Sequence, residues 1–288
     1  MSDFNLLKRD LNYFEKSQLD EIHQAFDMAV KAHKGQKRVS GDPYISHPIA
    51  VTKILASYNM DHESIIAGLL HDVIEDTNVT KSGITEQFGP NVAELVDGLS
   101  KIKQVEFKSR LAAQGENFRK MLLAMSNDIR VIVIKLADRL HNIRTLDVLS
   151  KERKTRIATE TLEIFSPIAR RLGMRDLSLE LEDLCFNTLY PKRYHVLKNA
   201  LTQIEKRHKD VMEKILNKIR ERMMRGAVQL ISLSSRKKNL YSIYRKMKRK
   251  HLSFSELTDV YGMRIIVNNE ISIIALLSAH SYQITIYV

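Results

Sequence analysis

The stretch Ile65–Thr77, IIAGLLHDVIEDT, places four ionisable side chains at helical spacing. His71 precedes Glu75 by four positions and Asp72 precedes Asp76 by four, so on a helix each pair lies one turn apart. The apolar residues between them predict that the opposite face packs into a core. Because three carboxylates within two turns repel one another, the pattern favours a cation between them.

Two further segments supply similar side chains. In LADRLHNIRT, Asp138, Asn142 and Thr145 form one polar stripe on a predicted helix. In SGDPYISHP, His47 precedes Pro48, and proline suits the first position of a following helix.

The three segments together offer two imidazoles and two carboxylates: His47, His71, Asp72 and Asp138. Such a set without sulfur suits manganese, iron, zinc or nickel. A metal there would make its bound water more acidic and polarise a phosphoryl oxygen. Glu75 and Asp76 would then orient that water or move its proton.

Each of these residues also has a purely structural interpretation. An adjacent His and Asp is common by chance, Asp138 could pair with Arg139 or Arg144, and His47 could bond a loop carbonyl. The ordered combination of a histidine, an HDxxED motif and a distant aspartate is more specific, and it favours a metal site.

The composition indicates which class of fold holds these residues in place. Only 5 prolines and 10 glycines occur in 288 residues, with 44% apolar and 7% aromatic residues, which predicts a mainly α-helical protein. The formal net charge of +12 favours polyanionic partners such as nucleic acids or phosphate-rich ligands, or simply a solvated basic face.

Cysteine usage and hydropathy predict a setting. Cys185 is the only cysteine, which excludes an intrachain disulfide and a cysteine-based zinc site and favours a reducing, cytoplasmic compartment. The N-terminus lacks the apolar run of a secretory signal, and no segment has the length expected of a membrane span.

The charge pattern predicts three parts: a helical domain at 1–195, a helical linker at 196–230 and an incomplete α/β segment at 231–288. A long charged helix is expected over Lys198–Arg225, followed by the basic segment Ser235–Lys250 and a short strand at Met263–Val267.

Four motifs resemble the hydrolase domain of the RelA/SpoT family, especially its SpoT-type members, within the wider HD phosphohydrolases. They are AHKGQKRVSGDPYISHP, AGLLHDVIEDT, ENFRKMLLAMSNDIRVIVIKLADRLHNIRTL and RIATETLEIFSPIARRLGM. The resemblance extends to about Asn268. It implies an HD-domain helical bundle followed by the start of a nucleotidyltransferase-like synthetase domain.

The resemblance also implies an activity: hydrolysis of the 3′-pyrophosphate of ppGpp and pppGpp to GDP or GTP. It assigns Mn²⁺ to the four residues of the metal set and water activation to Glu75 and Asp76. Arg38 matches the arginine that stacks on guanine, while Ser40, Asn142 and Thr145 match pocket positions. Val39 departs from the basic or polar residue of many relatives.

The segment SRKKNLYSIYRKMKRK resembles the beginning of the synthetase domain. Arg236 and Lys238 match ATP-phosphate contacts, while Asp259 and Arg264 match a magnesium ligand and an active-site arginine. Ser235 replaces a usual glycine, and Lys246–Lys250 could equally be a solvated helix face. Because the likeness stops after Asn268, no synthetase activity is expected.

Two other functions stay open from the sequence. The chain could be a catalytically silent alarmone-binding or regulatory fragment, or an HD phosphohydrolase of another nucleotide. No membrane partner is expected. Contact with nucleic acid or the ribosome is not expected either, because the resemblance ties it to C-terminal regions that this sequence does not contain.

Overall fold

The computed structural model describes residues 3–103, 128–225, 230–257 and 260–268. The chain divides into two compact units, Met1–Leu189 and Tyr190–Val288. The predicted mainly α-helical architecture is confirmed. The limits of the three predicted domains remain a prediction.

The described helices of the first unit are α1 Asp3–Lys8, α2 Lys16–Ala32, α3 Ser46–Ser57, α4 His62–Leu70, α5 Val73–Asp76, α6 Lys81–Lys103, α7 Ile129–Arg144, α8 Lys151–Glu160, α9 Ser166–Arg171 and α10 Arg175–Leu189. Helix α6 is kinked at Gly89. Short 3-10 turns occupy Arg9–Leu11 and Leu146–Val148, and a π-helical turn, Thr161–Phe165, joins α8 to α9.

Helix α4 lies at the centre of this unit. Its residues from Ser64 to Leu70 are all buried, because it packs against α2, α3, α6 and α7. A helix that is apolar on every side is stable only when it is enclosed in this way. Asp61 starts it by accepting a hydrogen bond from the Ser64 amide at 3.0 Å. Because the helix is enclosed, the His71–Asp72 pair that follows it also lies in the interior.

Arg130 fixes the beginning of α7 against the beginning of α4. It pairs with the α7 cap Asp128 and also reaches Asp61 at 3.0 Å and Glu63 at 2.7 Å. A planar guanidinium with several donors suits such a junction. Helix α7, which carries Asp138, is thereby fixed relative to α4, which leads to His71.

Gly68 lies where α4 packs tightly against Leu55 of α3, and its replacement by alanine tests that packing. A Cβ at Gly68 would lie 2.6 Å from Leu55 Cδ1, and Leu55 is fully buried. Overpacking costs ~1–3 kcal/mol, while alanine gains ~1 kcal/mol of helix propensity. We therefore expect Gly68→Ala to lower the free energy of unfolding in urea by ~1 kcal/mol. Gly83→Ala, where the nearest atom is 3.6 Å away, should cause no loss; equal losses would contradict this view of the packing.

The second unit contains α11 Pro191–Arg225, β1 Leu230–Lys237, α12 Leu240–Lys250, a 3-10 turn at Phe254–Glu256 and β2 Tyr261–Val267. Helix α11 begins seven residues before the predicted start. Strands β1 and β2 pair antiparallel, with Ser235 opposite Met263. The sequence indicated β2 but not β1, because the basic residues at the end of β1 hide its alternation.

Across the described residues, none of the helices combines the length and apolar character needed to cross a membrane.

Candidate metal centre

The four residues predicted to bind a metal come from three separate segments and all are buried. His47 is the second residue of α3, His71 and Asp72 form the turn between α4 and α5, and Asp138 lies in the middle of α7. Their exposed fractions are between 3% and 5%. The structure therefore brings together side chains from segments that lie up to 91 positions apart in the sequence.

Two sequence expectations about these segments were wrong in detail. The HDxxED motif is not on one continuous helix, because α4 ends at Leu70 and α5 begins at Val73. His71 and Asp72 consequently point into the interior, whereas Glu75 and Asp76 are exposed. Pro48 is the third residue of α3 rather than its first.

The ligand atoms converge on one point. His47 Nε2 lies 3.2 Å from His71 Nε2 and 3.2 Å from Asp138 Oδ1. Asp72 Oδ2 lies 3.1 Å from His71 Nε2 and 3.7 Å from His47 Nε2. One atom each of His47, His71 and Asp138 lies within 4.8 Å of the others, which is compatible with a shared ion.

The hydrogen bonds fix which imidazole nitrogens face this point. His71 Nδ1 lies 2.8 Å from the Gly68 carbonyl, so Nδ1 carries a hydrogen and Nε2 is the nitrogen that faces this point. His141 Nδ1 faces Arg38 Nη1 at 3.3 Å and His47 Nδ1 at 2.7 Å. Because a guanidinium only donates, His141 Nδ1 accepts, so His47 donates from Nδ1 and leaves Nε2 bare.

Two Nε2 atoms 3.2 Å apart, beside two carboxylates, favour a positive charge between them. Burial lowers the pKa of His47, which favours its neutral, ligating form. Burial alone would also lower the pKa of His71, but the Asp72 and Asp138 carboxylates raise it overall. The cluster therefore attracts positive charge, and its nitrogen and oxygen atoms fit a borderline divalent cation.

Asp138 is held by two neighbours on its own helix. Lys135 Nζ donates to its Oδ2 at 2.7 Å, and Asn142 Nδ2 donates to its Oδ1 at 2.5 Å. Burial would raise the pKa of this carboxyl, but Lys135 and the two imidazoles hold it well below its usual range. Asp138 is therefore ionised, as a metal ligand must be. Sequence reasoning missed Lys135, although its i, i+3 spacing to Asp138 was visible.

Arg38 reaches the same helix from the loop before α3. Its Nη2 donates to Asn142 Oδ1 at 3.1 Å, and Asn142 in turn contacts Asp138. The predicted pocket arginine is thus one side chain away from Asp138, a predicted metal ligand. Burial, together with the charges of His47 and Arg38, lowers the pKa of His141 to about 3, so this neighbouring imidazole is neutral.

The remaining predicted pocket residues lie nearby but bond locally. The Ser40 hydroxyl donates to Asp42 at 2.7 Å within the loop that carries Arg38. The Thr145 hydroxyl donates to the His141 carbonyl at 3.0 Å, at the C-terminal end of α7. Their contact with a substrate stays a prediction.

Tyr44 is a site residue that the sequence did not indicate. Its hydroxyl lies 2.6 Å from Asp72 Oδ2 and 2.9 Å from Asp76 Oδ2. Burial and then the Asp72 charge raise its pKa, so the phenol keeps its proton. The ring stacks on His33 at 4.5 Å. One hydroxyl thus links a predicted metal ligand to a predicted catalytic carboxylate.

We expect Tyr44→Phe to reduce kcat for the reaction of this site by about 10- to 100-fold, while metal affinity changes little. That range is typical for groups that orient ligands, and the stacked ring is retained. Steady-state kinetics and Mn²⁺ titration measure the two effects. Tyr13→Phe, which removes a hydroxyl bonded to the Met60 carbonyl, is the control and should leave both unchanged. A Tyr44→Phe enzyme with normal kcat would refute the role of the hydroxyl.

The predicted synthetase residues belong to the second unit. Arg236 lies in β1 opposite Gly262, and the Lys238 amide donates to the Val260 carbonyl at 3.0 Å. Arg264 lies in β2 and is exposed. Asp259 and residues 269–288 lie outside the described residues. The role of these four positions remains a prediction.

Comparison with known proteins identifies the family. A model of the HD domain matches residues 25–175, which include every predicted residue of the metal centre. The chain belongs to the HD-domain family. The predicted RelA/SpoT resemblance is also confirmed, because the region found in RelA/SpoT proteins matches residues 235–286. The expectation that this likeness stops after Asn268 was wrong, since the match continues to residue 286.

Several relatives of this HD-domain chain are known. It is 48% identical over 257 residues to the bifunctional (p)ppGpp synthase/hydrolase SpoT of Escherichia coli strain K12, a match that covers 89% of this chain and 36% of that protein. It is 40% identical over 270 residues to the GTP pyrophosphokinase rsh of Brucella melitensis biotype 1, covering 93% of this chain and 36% of that protein. The chain thus spans about a third of the length of these relatives.

Among solved structures, a metazoan ortholog of SpoT, described as hydrolysing ppGpp, is similar at 28% identity with a TM-score of 0.48. The match covers 58% of this chain and 94% of that one.

Proposed function

We propose that this chain hydrolyses ppGpp and pppGpp at the 3′ position, releasing pyrophosphate and leaving GDP or GTP, with manganese as its metal. The observation that carries this proposal is the buried convergence of His47, His71, Asp72 and Asp138 beside Arg38. Relatives at 48% identity bear the name guanosine-3′,5′-bis(diphosphate) 3′-pyrophosphohydrolase, which supports the choice of substrate.

The reaction is a hydrolysis that balances without an additional reactant. The oxygen of water joins the phosphorus next to the ribose, the bond from that phosphorus to the 3′-oxygen breaks, and the 3′-oxygen takes up a proton. When bound, the divalent cation supplies Lewis-acid chemistry, polarising a phosphoryl oxygen and making water more acidic.

Several side chains of this chain have separate roles in the proposed reaction. Asp76 and Glu75 are exposed carboxylates four and three positions after Asp72 in the chain, and in this proposal they accept the proton of the attacking water. Tyr44 holds Asp76 at a fixed distance from Asp72. Asn142 and Lys135 orient Asp138. The Tyr44 hydroxyl contacts both Asp72 and Asp76, and this proximity supports the assignment of Asp76 as a base beside the proposed metal ligands.

Arg38 binds the guanine base in this proposal. Its guanidinium is planar and always charged, and it is half-buried against Asn142, so it offers a flat face for stacking. We expect Arg38→Ala to raise KM for ppGpp about tenfold, which corresponds to ~1.4 kcal/mol of binding, with a smaller change in kcat. Arg156→Ala on the exposed face of α8 is the charge-matched control. An unchanged KM would remove Arg38 from the substrate site.

One assay tests the proposed function against its alternatives. Purified protein is incubated with ppGpp and Mn²⁺, pyrophosphate release is measured, and the assay is repeated with Asp72→Ala and with other nucleotides. Release that Asp72→Ala abolishes supports the proposal. Metal binding without turnover would indicate a silent alarmone-binding fragment, and equal turnover of unrelated nucleotides would indicate an HD hydrolase of different specificity.

A further inference from the structure

Lys135 is a buried cation next to the metal centre. Only 8% of the residue is exposed, and its Nζ lies 2.7 Å from Asp138 Oδ2. Lysine is almost never fully buried unless it is paired, since an ammonium loses its hydration there. A buried lysine three positions before a candidate metal ligand therefore calls for a role linked to that ligand.

The two oxygens of Asp138 have different partners. Oδ1 faces His47 Nε2 at 3.2 Å and accepts a hydrogen bond from Asn142. Oδ2 is bonded by Lys135. Because Lys135, Asp138 and Asn142 share helix α7 at spacings of three and four, the backbone itself sets this division. Asp138 consequently presents one oxygen to the centre and keeps the other on Lys135.

The contact between Lys135 and Asp138 also affects the charge balance of the centre. Asp72 and Asp138 are both buried within reach of His47, and a buried carboxylate without a partner strongly destabilises a fold. Lys135 compensates Asp138 whether or not a metal is bound. Its positive charge also repels a cation at the centre, because charges a few ångströms apart interact strongly in the interior.

We infer that Lys135 is a positioning residue that serves as the resident counter-cation of the metal centre. It restricts Asp138 to one ligating oxygen, and it keeps the centre assembled without metal at the expense of metal affinity. This inference rests on the metal assignment in the proposed function, but it does not depend on the identity of the substrate.

Three variants of the full chain test it. Lys135→Met removes the charge and the donor, Lys135→Gln removes the charge but retains an N–H donor, and Lys135→Arg retains both. Thermal unfolding is followed with a chelator and with saturating Mn²⁺, and Mn²⁺ affinity is measured from the electron paramagnetic resonance signal of the free ion. Neither measurement requires turnover, so failure to hydrolyse ppGpp would overturn the proposed function and leave this test intact.

The expected result is a change in how stability depends on metal. Without metal, Lys135→Met and Lys135→Gln should unfold about 5 °C below the unsubstituted chain, because an uncompensated charge is buried. Mn²⁺ should restore most of this loss and should bind about tenfold or more tightly, since the opposing charge is gone. Lys135→Arg should resemble the unsubstituted chain in both measurements.

Several outcomes would overturn the inference. The inference is wrong if Lys135→Met and Lys135→Gln bind Mn²⁺ no more tightly than the unsubstituted chain. It is also wrong if Mn²⁺ stabilises these two variants no more than it stabilises the unsubstituted chain. Normal behaviour of Lys135→Gln alone would show that the hydrogen bond, not the charge, matters. If both neutral variants stay unfolded even in Mn²⁺ while Lys135→Arg folds, the metal cannot replace the lysine charge and the counter-cation role is wrong.

Discussion

Asp138→Asn should reduce Mn²⁺-dependent pyrophosphate release from ppGpp by about 10³-fold or more and should weaken Mn²⁺ binding in parallel. The amide has no negative charge to bind the cation. The loss of a metal ligand should therefore remove transition-state stabilisation, and a loss of ~4 kcal/mol corresponds to a 10³-fold lower rate. The amide also places a neutral group opposite the buried Lys135 ammonium. Pyrophosphate release and Mn²⁺ titration measure the two losses.

The matched control is Asp147→Asn. Asp147 is fully exposed just beyond the end of α7, so the same substitution there changes charge at a comparable sequence position without touching the centre. Its turnover and metal affinity should equal those of the unsubstituted chain. Substantial turnover by Asp138→Asn with normal Mn²⁺ affinity would mean that Asp138 is not a metal ligand, and the proposed mechanism would lose its basis.

Asp76→Asn should lower kcat by about 10²- to 10⁴-fold while Mn²⁺ still binds with near-normal affinity. General-base catalysis contributes rate enhancements of this order, and an amide cannot take up the proton of water at neutral pH. Asp76 contacts the Tyr44 hydroxyl at 2.9 Å, and asparagine retains an oxygen that can accept that bond, so the local fold should persist. The separation of turnover from metal binding distinguishes this variant from Asp138→Asn.

Asp20→Asn on the exposed face of α2 is the control for this change of charge, and it should have no effect on either quantity. The same measurement on Glu75→Gln apportions the proton transfer between the two carboxylates. The side chain whose amide variant loses more activity is the principal base. If Asp76→Asn and Glu75→Gln both retain full kcat, neither residue activates water.

The composition and local spacing of the sequence determined the helical class and the types of residue at the centre. The pairs Asp138–Asn142 and Asp72–Asp76 could be predicted because backbone hydrogen bonds within a helix set the relation of residues four apart. The bond from the Asp76 amide to the Asp72 carbonyl, at 2.9 Å, preserves that spacing even where the helix is interrupted. Sequence reasoning therefore identified the metal-binding candidates before any fold was known.

Tertiary structure alone decided how the segments meet. The contacts from His47 to His141 and from Arg38 to Asn142 join residues 94 and 104 positions apart, and such distances depend on how α3 packs against α7. The break after Leu70 buries His71 and Asp72 while exposing Glu75 and Asp76. Tyr44 became visible only there, since a phenol in a sequence gives no sign of which carboxylate it will face. The spacing of Lys135 to Asp138 could be read from the sequence, but its burial beside that carboxylate could not. Local hydrogen bonding is encoded residue by residue, whereas the burial that sets charge and ligand geometry results from packing of the whole unit.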